Sequence, residues 1–357
     1  MDTPFSFSGS GIVSHFLTFS PCLIALIYLF SAARKRKSIA GTNQNNNEVV
    51  DKSSCCASCG IVRDDDVKLM QCDGCDLVRY CSDDCQRDHK SEHEEACKKR
   101  AVELRLRDEL LFMQPESTHL GDCPLCCLPL PLDVTKSTLM KCCSKLICNG
   151  CFHANIERET RMRLRHVCPF CREALPKTHE ESFKQNMERM EANDPFALRT
   201  YGAAKYTEGN YGFAFEYFTK AAELGFVEAH SRLAELYQDG KGVEKDIGKE
   251  VYHLEKAAIG GHPHARHNLG AHEWKNGNKE RAVKHWIIAA TQGEDTSIKA
   301  LMNAFKKGYV EKDELAAALR SHQAAVDAAK SPQRERTEVL LSKRRSVKRG
   351  GFHFSGH

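Results

Sequence analysis

The sequence predicts a chain of two parts: small cysteine-rich α+β modules come first, and an all-α solenoid follows. One candidate transmembrane helix precedes both. Three observations lead to this prediction. All but one of the 18 cysteines fall between Cys55 and Cys171. Paired alanines then recur along the second half of the chain, and one uncharged apolar stretch lies near the N-terminus. At 357 residues, the chain is long enough for two or three domains.

Composition narrows the class of protein. The 52 Lys and Arg residues and 48 Asp and Glu residues leave a formal net charge of +4, so no specific nucleic-acid partner is expected. The composition also excludes collagen-like, fully disordered and multi-span membrane proteins. A secreted disulfide protein would be small and stapled throughout, whereas clustered cysteine pairs in a longer chain indicate metal sites. We therefore expect a reducing compartment and bound zinc.

The apolar stretch, residues 12–33, carries no formal charge and is followed at once by Arg34-Lys-Arg-Lys37. A membrane span needs about 20 mostly apolar residues, and basic residues after it place the following chain in the cytosol. We predict a membrane-anchored protein with its cysteine-rich modules and repeats in the cytosol, with the nucleus as the alternative. A disordered tail or an organelle-targeting leader are the other interpretations of this stretch. Residues 38–54 are predicted to be a disordered polar linker.

The first cysteine-rich module covers residues 56–97 and offers eight metal-binding side chains. They form the pairs Cys56/Cys59, Cys72/Cys75, Cys81/Cys85 and His93/Cys97. A Cys-x2-Cys turn directs both sulfurs to one metal, and a spacing of four residues places two side chains on one helix face. Seven thiolates and one imidazole are enough for two tetrahedral zinc ions.

This module resembles the MYND finger, most specifically in "YCSDDCQ" followed by "HEEAC". The resemblance implies interleaved sites, with one zinc ion held by Cys56, Cys59, Cys81 and Cys85 and the other by Cys72, Cys75, His93 and Cys97. It also implies a groove for short partner peptides, although Lys90 stands where many members of the family carry a tryptophan. Residues 98–114 are predicted to form a helix that leaves the module.

The second cysteine-rich module covers residues 123–172. "CPLC", "ICNGC" and "CPFCR" in this module resemble the all-cysteine subclass of RING fingers, except that Cys142 and Cys143 are adjacent. The resemblance implies a cross-brace, with one zinc ion on Cys123, Cys126, Cys148 and Cys151 and the other on Cys142, Cys143, Cys168 and Cys171. Whether both adjacent cysteines bind metal stays open. Four zinc ions are expected in all, and Cys22, Cys55 and Cys127 are left over.

A RING finger performs no covalent step itself, and no residue of this chain is predicted to be catalytic. It holds a ubiquitin-conjugating enzyme in a reactive pose. By resemblance, Leu125 and Pro169 would contact the conjugating enzyme. Arg172 would bridge it to ubiquitin, since a guanidinium donates to two carbonyls at once. The alternative is that Leu125 and Pro169 only pack and that Arg172 is a solvated charge.

Residues 195–330 contain an internal repeat, marked by "KAAELG", "KAAIGG" and "IAATQG". The distance from an upstream alanine to the second alanine of each pair is 25, 29 and 25 residues, measured over Ala197–Ala222, Ala229–Ala258 and Ala265–Ala290. The four extra residues fall in a turn, where a helix–turn–helix repeat tolerates insertion. The pattern resembles Sel-one-like repeats, relatives of the tetratricopeptide repeat, and implies a solenoid with a concave protein-binding face.

Three shorter predictions complete the chain. Residues 177–193 are a spacer helix before the repeats, and residues 298–330 are a divergent fourth repeat or cap. Residues 331–357 are a basic tail, interpreted as disordered, with contact to anionic lipid or a nuclear signal as alternatives. Trp274 and Trp286 are assigned to the core.

Two classes of function fit these observations. One is a RING-type ubiquitin ligase that recruits a conjugating enzyme and chooses substrates through its repeats. The other is a non-enzymatic scaffold or adaptor in which the fingers and repeats are docking surfaces. A nuclear transcriptional cofactor is a weaker third, because the sequence has no basic DNA-reading helix.

Overall fold

The computed structural model describes residues 55–62, 68–75 and 77–350, with side chains to residue 343. The chain divides into two compact units, residues 1–101 and 102–357, and each is described by itself. Within the described residues there are thirteen α-helices and two small antiparallel sheets. The architecture is thus a cysteine-rich region followed by an all-helical repeat solenoid, as the sequence predicts.

The first unit contains the strands β1 (Met70–Gln71) and β2 (Arg79–Tyr80) and the helix α1 (Asp83–Asp88). The Ser82 hydroxyl accepts the backbone N–H of Cys85 and caps α1. Helix α2 (Lys90–Leu111) begins eight residues before the predicted helix 98–114 and therefore includes His93 and Cys97. The buried core of this unit is Cys56, Cys72, Cys75 and Tyr80.

The second unit begins its cysteine-rich module with a 3₁₀ turn, Val134–Lys136, and the hairpin β3 (Ser137–Met140) and β4 (Lys145–Cys148). The strands pair with Ser137 opposite Cys148 and Met140 opposite Lys145. Helix α3 (Asn149–Arg161) follows directly. Leu130, Met140 and Ile147 are buried together with four of the cysteines.

The solenoid consists of helix pairs that stack in chain order. Helix α4 (His179–Glu191), the predicted spacer, packs on the first helix of the array. The pairs are α5 (Pro195–Thr207) with α6 (Tyr211–Glu223), α7 (Val227–Asp239) with α8 (Ile247–Ile259), α9 (Pro263–Lys275) with α10 (Lys279–Thr291), and α11 (Asp295–Lys306) with α12 (Lys312–Ala328). The fourth pair occupies the place of the predicted divergent repeat.

The solenoid core contains both small and large side chains. Ala257, Ala258, Ala289 and Ala290 are fully buried, so neighbouring helices approach closely at the paired alanines. Trp286 is also buried, and Trp274 packs against the same cluster. The two tryptophans therefore lie where the sequence places them, in the core.

The C-terminal end of α2, where the chain enters the second unit, packs against the repeats. Leu111 is 1% exposed and packs in one cluster with Leu254 and Leu269. The buried guanidinium of Arg266 donates to the carbonyl oxygens of Leu111 and Ala258, so the end of α2 is tied to the array.

The chain that follows α2 contacts the turn that precedes α9. The His119 N–H donates to the Gly261 carbonyl at 2.9 Å. Gly261 has φ +79, and a Cβ there would come within 2.9 Å of the Ser117 oxygen. Any other residue at this position would strain the backbone and push the segment away.

The tail is ordered where disorder was predicted. Helix α13 (Pro332–Gly350) packs on α3 of the cysteine-rich module. Gly150 lets the helices approach, since a Cβ there would lie 3.1 Å from the Arg334 backbone. Basic composition alone indicated a solvated tail, but Arg334 and Thr337 are buried. Residues 351–357 lie outside the described part of the chain.

The predicted membrane-anchored location is wrong. A search of the described helices found none with enough length and apolar character to cross a membrane. Even the longest, α2, has a charged residue in nearly every turn. Residues 12–33, on which the prediction depended, and the linker 38–54 lie outside the described residues.

Gly270 tests the close packing of the third repeat. A Cβ at Gly270 would lie 2.5 Å from Nε1 of Trp286, so Gly270→Ala should destabilise the chain by about 1–3 kcal/mol through overpacking. Thermal unfolding followed by circular dichroism measures the change. Gly212→Ala is the matched control because a Cβ there meets nothing within 4 Å. An equal loss in both variants would contradict the packing account.

Candidate metal centres

The structure brings the predicted ligands of the first module into two groups. One comprises Cys56, Cys59, Cys81 and Cys85, and the other Cys72, Cys75, His93 and Cys97. Within each group all ligand atoms lie within 4.8 Å of one another. The sulfurs of Cys72 and Cys97 are 3.7 Å apart, although 25 residues separate them. The pairs are therefore interleaved along the chain, in the order that the resemblance implies.

The second module forms two further groups with the same limit of 4.8 Å. They are Cys123, Cys126, Cys148 and Cys151, and Cys142, Cys143, Cys168 and Cys171. Cys142 lies 3.4 Å from Cys171, and Cys143 lies 3.7 Å from Cys168. Both adjacent cysteines therefore reach the same group, which the sequence left open.

The donor sets fit zinc. A tetrahedral zinc ion with bonds of about 2.3 Å separates its sulfur ligands by about 3.8 Å. The sulfur–sulfur distances across these groups include 3.5 Å for Cys59 and Cys81, 3.6 Å for Cys81 and Cys85, and 3.9 Å for Cys126 and Cys148. Three all-cysteine sets and one Cys3His set are the ligands of structural zinc sites. Each of the four groups could therefore bind one zinc ion.

One backbone turn builds three of the cysteine pairs. The first cysteine donates its N–H to the carbonyl five residues on, at 2.8 Å for Cys56, 2.9 Å for Cys123 and 2.7 Å for Cys168. The residue four positions on donates back to the first cysteine's carbonyl. Both bonds hold the Cys-x2-Cys segment in a tight curve, and so its two sulfurs lie on the same side.

The residue whose N–H donates back to the first cysteine of this turn has a left-handed backbone. It is Gly60, Cys127 and Arg172 in the three turns, with φ of +76, +54 and +62. The leftover Cys127 thus occupies a turn position and belongs to no metal group among the described residues. The sequence signal was available, since all three follow a Cys-x2-Cys pair directly.

At two of the candidate ligands, Cys123 and Cys56, backbone N–H groups favour the thiolate form that metal binding requires. Burial acts to raise the pKa of the Cys123 thiol, but N–H groups of Cys148, Leu125 and Cys126 lower it to about 7. Burial also acts to raise the pKa of the Cys56 thiol, but N–H groups of Cys59, Cys81 and Ser58 lower it to about 6. Both cysteines are the first of a turn, which supplies two of the three donors in each case, and the third comes from another cysteine of the same group.

The other candidate ligands have different contacts. His89 lies at 3.1 Å from the Tyr80 hydroxyl and stacks on His93. Cys55 forms an isolated bridge with Val62. His153 packs edge-on against its neighbour Phe152. Cys22 lies outside the described residues.

The three predicted contact residues for a conjugating enzyme occupy two of the turns. Leu125 is 42% exposed inside the first turn of the second module. In the last turn, Pro169 is half-buried and Arg172 is exposed. Leu125 and Arg172 therefore keep side-chain surface accessible in these turns.

Arg334 connects the last helix to a candidate metal group, which the sequence did not indicate. Its side chain is 5% exposed, and Nη2 lies 3.3 Å from Sγ of Cys126. The same guanidinium donates to the carbonyl oxygens of Pro129, Leu128 and Ala329. A donor at a ligand sulfur orients that ligand and stabilises its negative charge.

Comparison with known families defines the class of this chain. The MYND finger model matches residues 56–97. The Sel1 repeat model matches residues 199–226, 227–262 and 263–294. The chain therefore carries a MYND zinc finger and three Sel1 repeats, and both predicted resemblances are confirmed. The RING-like assignment of the second module is supported by its two cysteine groups alone.

Similar proteins come from mammals and bacteria. DAP3-binding cell death enhancer 1 of Mus musculus is 24% identical, covering 40% of this chain and 36% of that protein. The Rattus norvegicus protein of the same name is 23% identical, covering 46% and 40%. The chain thus spans well under half the length of these relatives.

Two solved structures also show similarity. A Sel1 repeat protein from Oxalobacter formigenes has 24% identity and a TM-score of 0.36, covering 50% of this chain and 70% of that one. A protective antigen of uropathogenic Escherichia coli with an SLR fold has 28% identity and a TM-score of 0.35, covering 42% and 33%.

Neighbouring cysteines test the metal assignment. Cys126→Ser should reduce the zinc content from four ions per chain to three, because it removes one sulfur from a group of four. Cys127→Gly should leave four ions, since Cys127 lies outside the groups and its φ of +54 suits glycine. Elemental analysis of the purified chain measures both. Loss of zinc in Cys127→Gly would contradict the assignment.

Arg334→Ala tests the contact with Cys126. Removing a donor to a ligand sulfur should weaken zinc at that one group by roughly 10–100-fold. Competition with a colorimetric chelator should then show one zinc ion released early and three retained. Arg336→Ala, an exposed arginine on the same helix, is the control. Simultaneous release of all four ions would point to general unfolding instead.

Proposed function

We propose that this protein is a RING-type ubiquitin ligase, in which the second module recruits a charged conjugating enzyme and the repeats choose the substrate. The coarser assignment is secure: a MYND finger, Sel1 repeats and four candidate zinc groups define a zinc-binding protein-interaction protein. The ligase activity is the finer proposal.

The exposure of Leu125 carries the proposal. A leucine that is 42% exposed in a metal-binding turn leaves a large part of its apolar surface in contact with water. Its side chain is instead available to an apolar site on a partner. Arg172 stands exposed directly after the last cysteine pair, where a guanidinium would reach two partners at once.

The chemistry requires positioning rather than a catalytic side chain. A substrate lysine amine attacks the thioester carbonyl of the charged conjugating enzyme, an isopeptide C–N bond forms, and the cysteine thiolate leaves. Holding the thioester in an attack-ready pose removes part of the entropic cost of this step. Leu125, Pro169 and Arg172 are the residues proposed to hold that pose.

The alternative is a scaffold without ligase activity. The segment before the second module contacts the solenoid through His119, and α13, which follows the solenoid, packs on α3 of the module and places Arg334 against Cys126, so the module can serve only to brace the array. The mammalian relatives are named for binding DAP3. By similarity, a protein partner for the repeats of this chain is proposed under either function.

Full-length, zinc-loaded protein should accelerate ubiquitin discharge from at least one member of a panel of charged conjugating enzymes. Leu125→Ala and Arg172→Asn should each slow discharge roughly tenfold, about 1.4 kcal/mol in the barrier. Asparagine is chosen because it tolerates the left-handed backbone of Arg172, which alanine would strain.

Zinc content and a matched variant keep the result interpretable. Arg320→Asn, an exposed arginine of α12, should leave discharge unchanged. Equal discharge by the wild-type chain and by Cys168→Ser would sink the ligase proposal. A zinc-loaded chain that accelerates discharge from no conjugating enzyme would leave the scaffold as the function.

A further inference from the structure

A groove of about 680 Å³ lies in the second unit, between the cysteine-rich module and the end of the solenoid. Its walls come from residues 114–122 and 129–136 on one side and from residues 291–295 and 325–338 on the other. We call it the acidic groove. Its volume lies within the range of about 300–1,000 Å³ that is usual for ligand sites.

The lining of the acidic groove also includes apolar side chains. They are Pro129, Pro131 and Leu132 from the module and Ala325, Val326 and Ala329 from α12 and the turn after it. Short, stiff side chains of this kind leave an open trough and offer apolar contact along it. An extended chain suits such a trough better than a bulky side chain does.

The rim carries an excess of negative charge. Six carboxylates line the groove, namely Glu116, Asp122, Asp133, Asp295, Glu335 and Glu338, against three basic residues, Lys136, Lys330 and Arg334. The lining therefore has a formal net charge of −3. Lys136 pairs with Glu338 at 3.0 Å and Lys330 with Asp327 at 2.8 Å, and among the other carboxylates Asp295 lies 2.9 Å from Nε2 of His322. Arg334 is buried.

Two buried side chains in the wall have unmet hydrogen-bonding groups. Gln292 is 8% exposed, and its Nε2 donates to the carbonyls of Ser117 and Gly261. Its Oε1 accepts no hydrogen bond within the described residues, and Nε of Arg334 likewise donates none. Both atoms are themselves buried in the wall, so the shape and charge of the groove, and not these groups, determine what it can bind.

We propose that the acidic groove binds an extended, basic segment of a partner protein. Lys or Arg side chains along the segment would meet the rim carboxylates, and small apolar residues would lie against Pro129 and Pro131. The proposal concerns binding alone and stands whether or not the chain is a ligase.

Fluorescence anisotropy of the full-length, zinc-loaded chain tests the proposal. The probe is a fluorescein-labelled pool of short peptides with Lys or Arg at alternate positions, and the reference is the same pool with glutamine at those positions. The basic pool should bind at least tenfold more tightly, because like charges are excluded and opposite charges attract at the rim. Equal binding of both pools, or binding of neither, would overturn the proposal.

Variants assign the binding to the groove. Glu116→Gln, Asp122→Asn and Glu335→Gln together should weaken binding roughly tenfold and flatten its salt dependence, since three rim charges are lost. The triple control Glu223→Gln, Glu280→Gln and Asp313→Asn makes the same charge change at exposed positions outside the groove. Equal weakening by the control would show a general electrostatic effect and reject the site.

This chain's own Arg34-Lys-Arg-Lys37 is the competing occupant. Binding that occurs only after Arg34→Gln, Lys35→Gln, Arg36→Gln and Lys37→Gln in the full-length chain would assign the groove to that segment and overturn the partner.

Discussion

Sulfur replaces a hydrophobic core in both cysteine-rich modules, and the rest of the structure depends on it. Three of the four buried core residues of the first module are cysteines, and the second module buries four cysteines beside Leu130, Met140 and Ile147. Uncoordinated thiols do not hold four chain segments together, whereas a shared zinc ion does. In modules this small, metal-binding free energy is folding free energy. Through Arg334 and Cys126, the same dependence extends to the last helix of the chain.

The sequence predicts the structure well where the pattern is local. Ligand spacing and family resemblance together anticipated all four groups of cysteine and histidine, and the alanine pairs located the helix contacts of the solenoid. Helix α13 was missed for a physical reason. Arg334 and its neighbours have the composition of a solvated tail, and only the distant carbonyls of Leu128 and Pro129 make the arginine a buried residue. Contacts between residues about 200 positions apart produce no periodic pattern in the sequence.

The acidic groove and the turns around the cysteines show how backbone geometry determines what a surface offers. The left-handed residue after three of the Cys-x2-Cys pairs can be a glycine, a spare cysteine or an arginine without changing the turn. Function can therefore vary at this position while the metal site is kept. The acidic groove, in contrast, is not a local feature. Its wall combines four separate segments whose placement depends on the whole unit.

The solenoid and the helix after it meet the second module, or the segment just before it, at three places. Ser144 lies beside Asp194 before the first helix pair, His119 donates to Gly261 between the second and third pairs, and α13, after the last pair, rests on α3. Repeat arrays ordinarily evolve by duplicating or losing a unit, because each unit contacts only its neighbours. Here one extra helix pair would displace every later contact by the width of a repeat. The repeat number of this protein is accordingly closed to that route of change, and its variation should be confined to turns and surface residues.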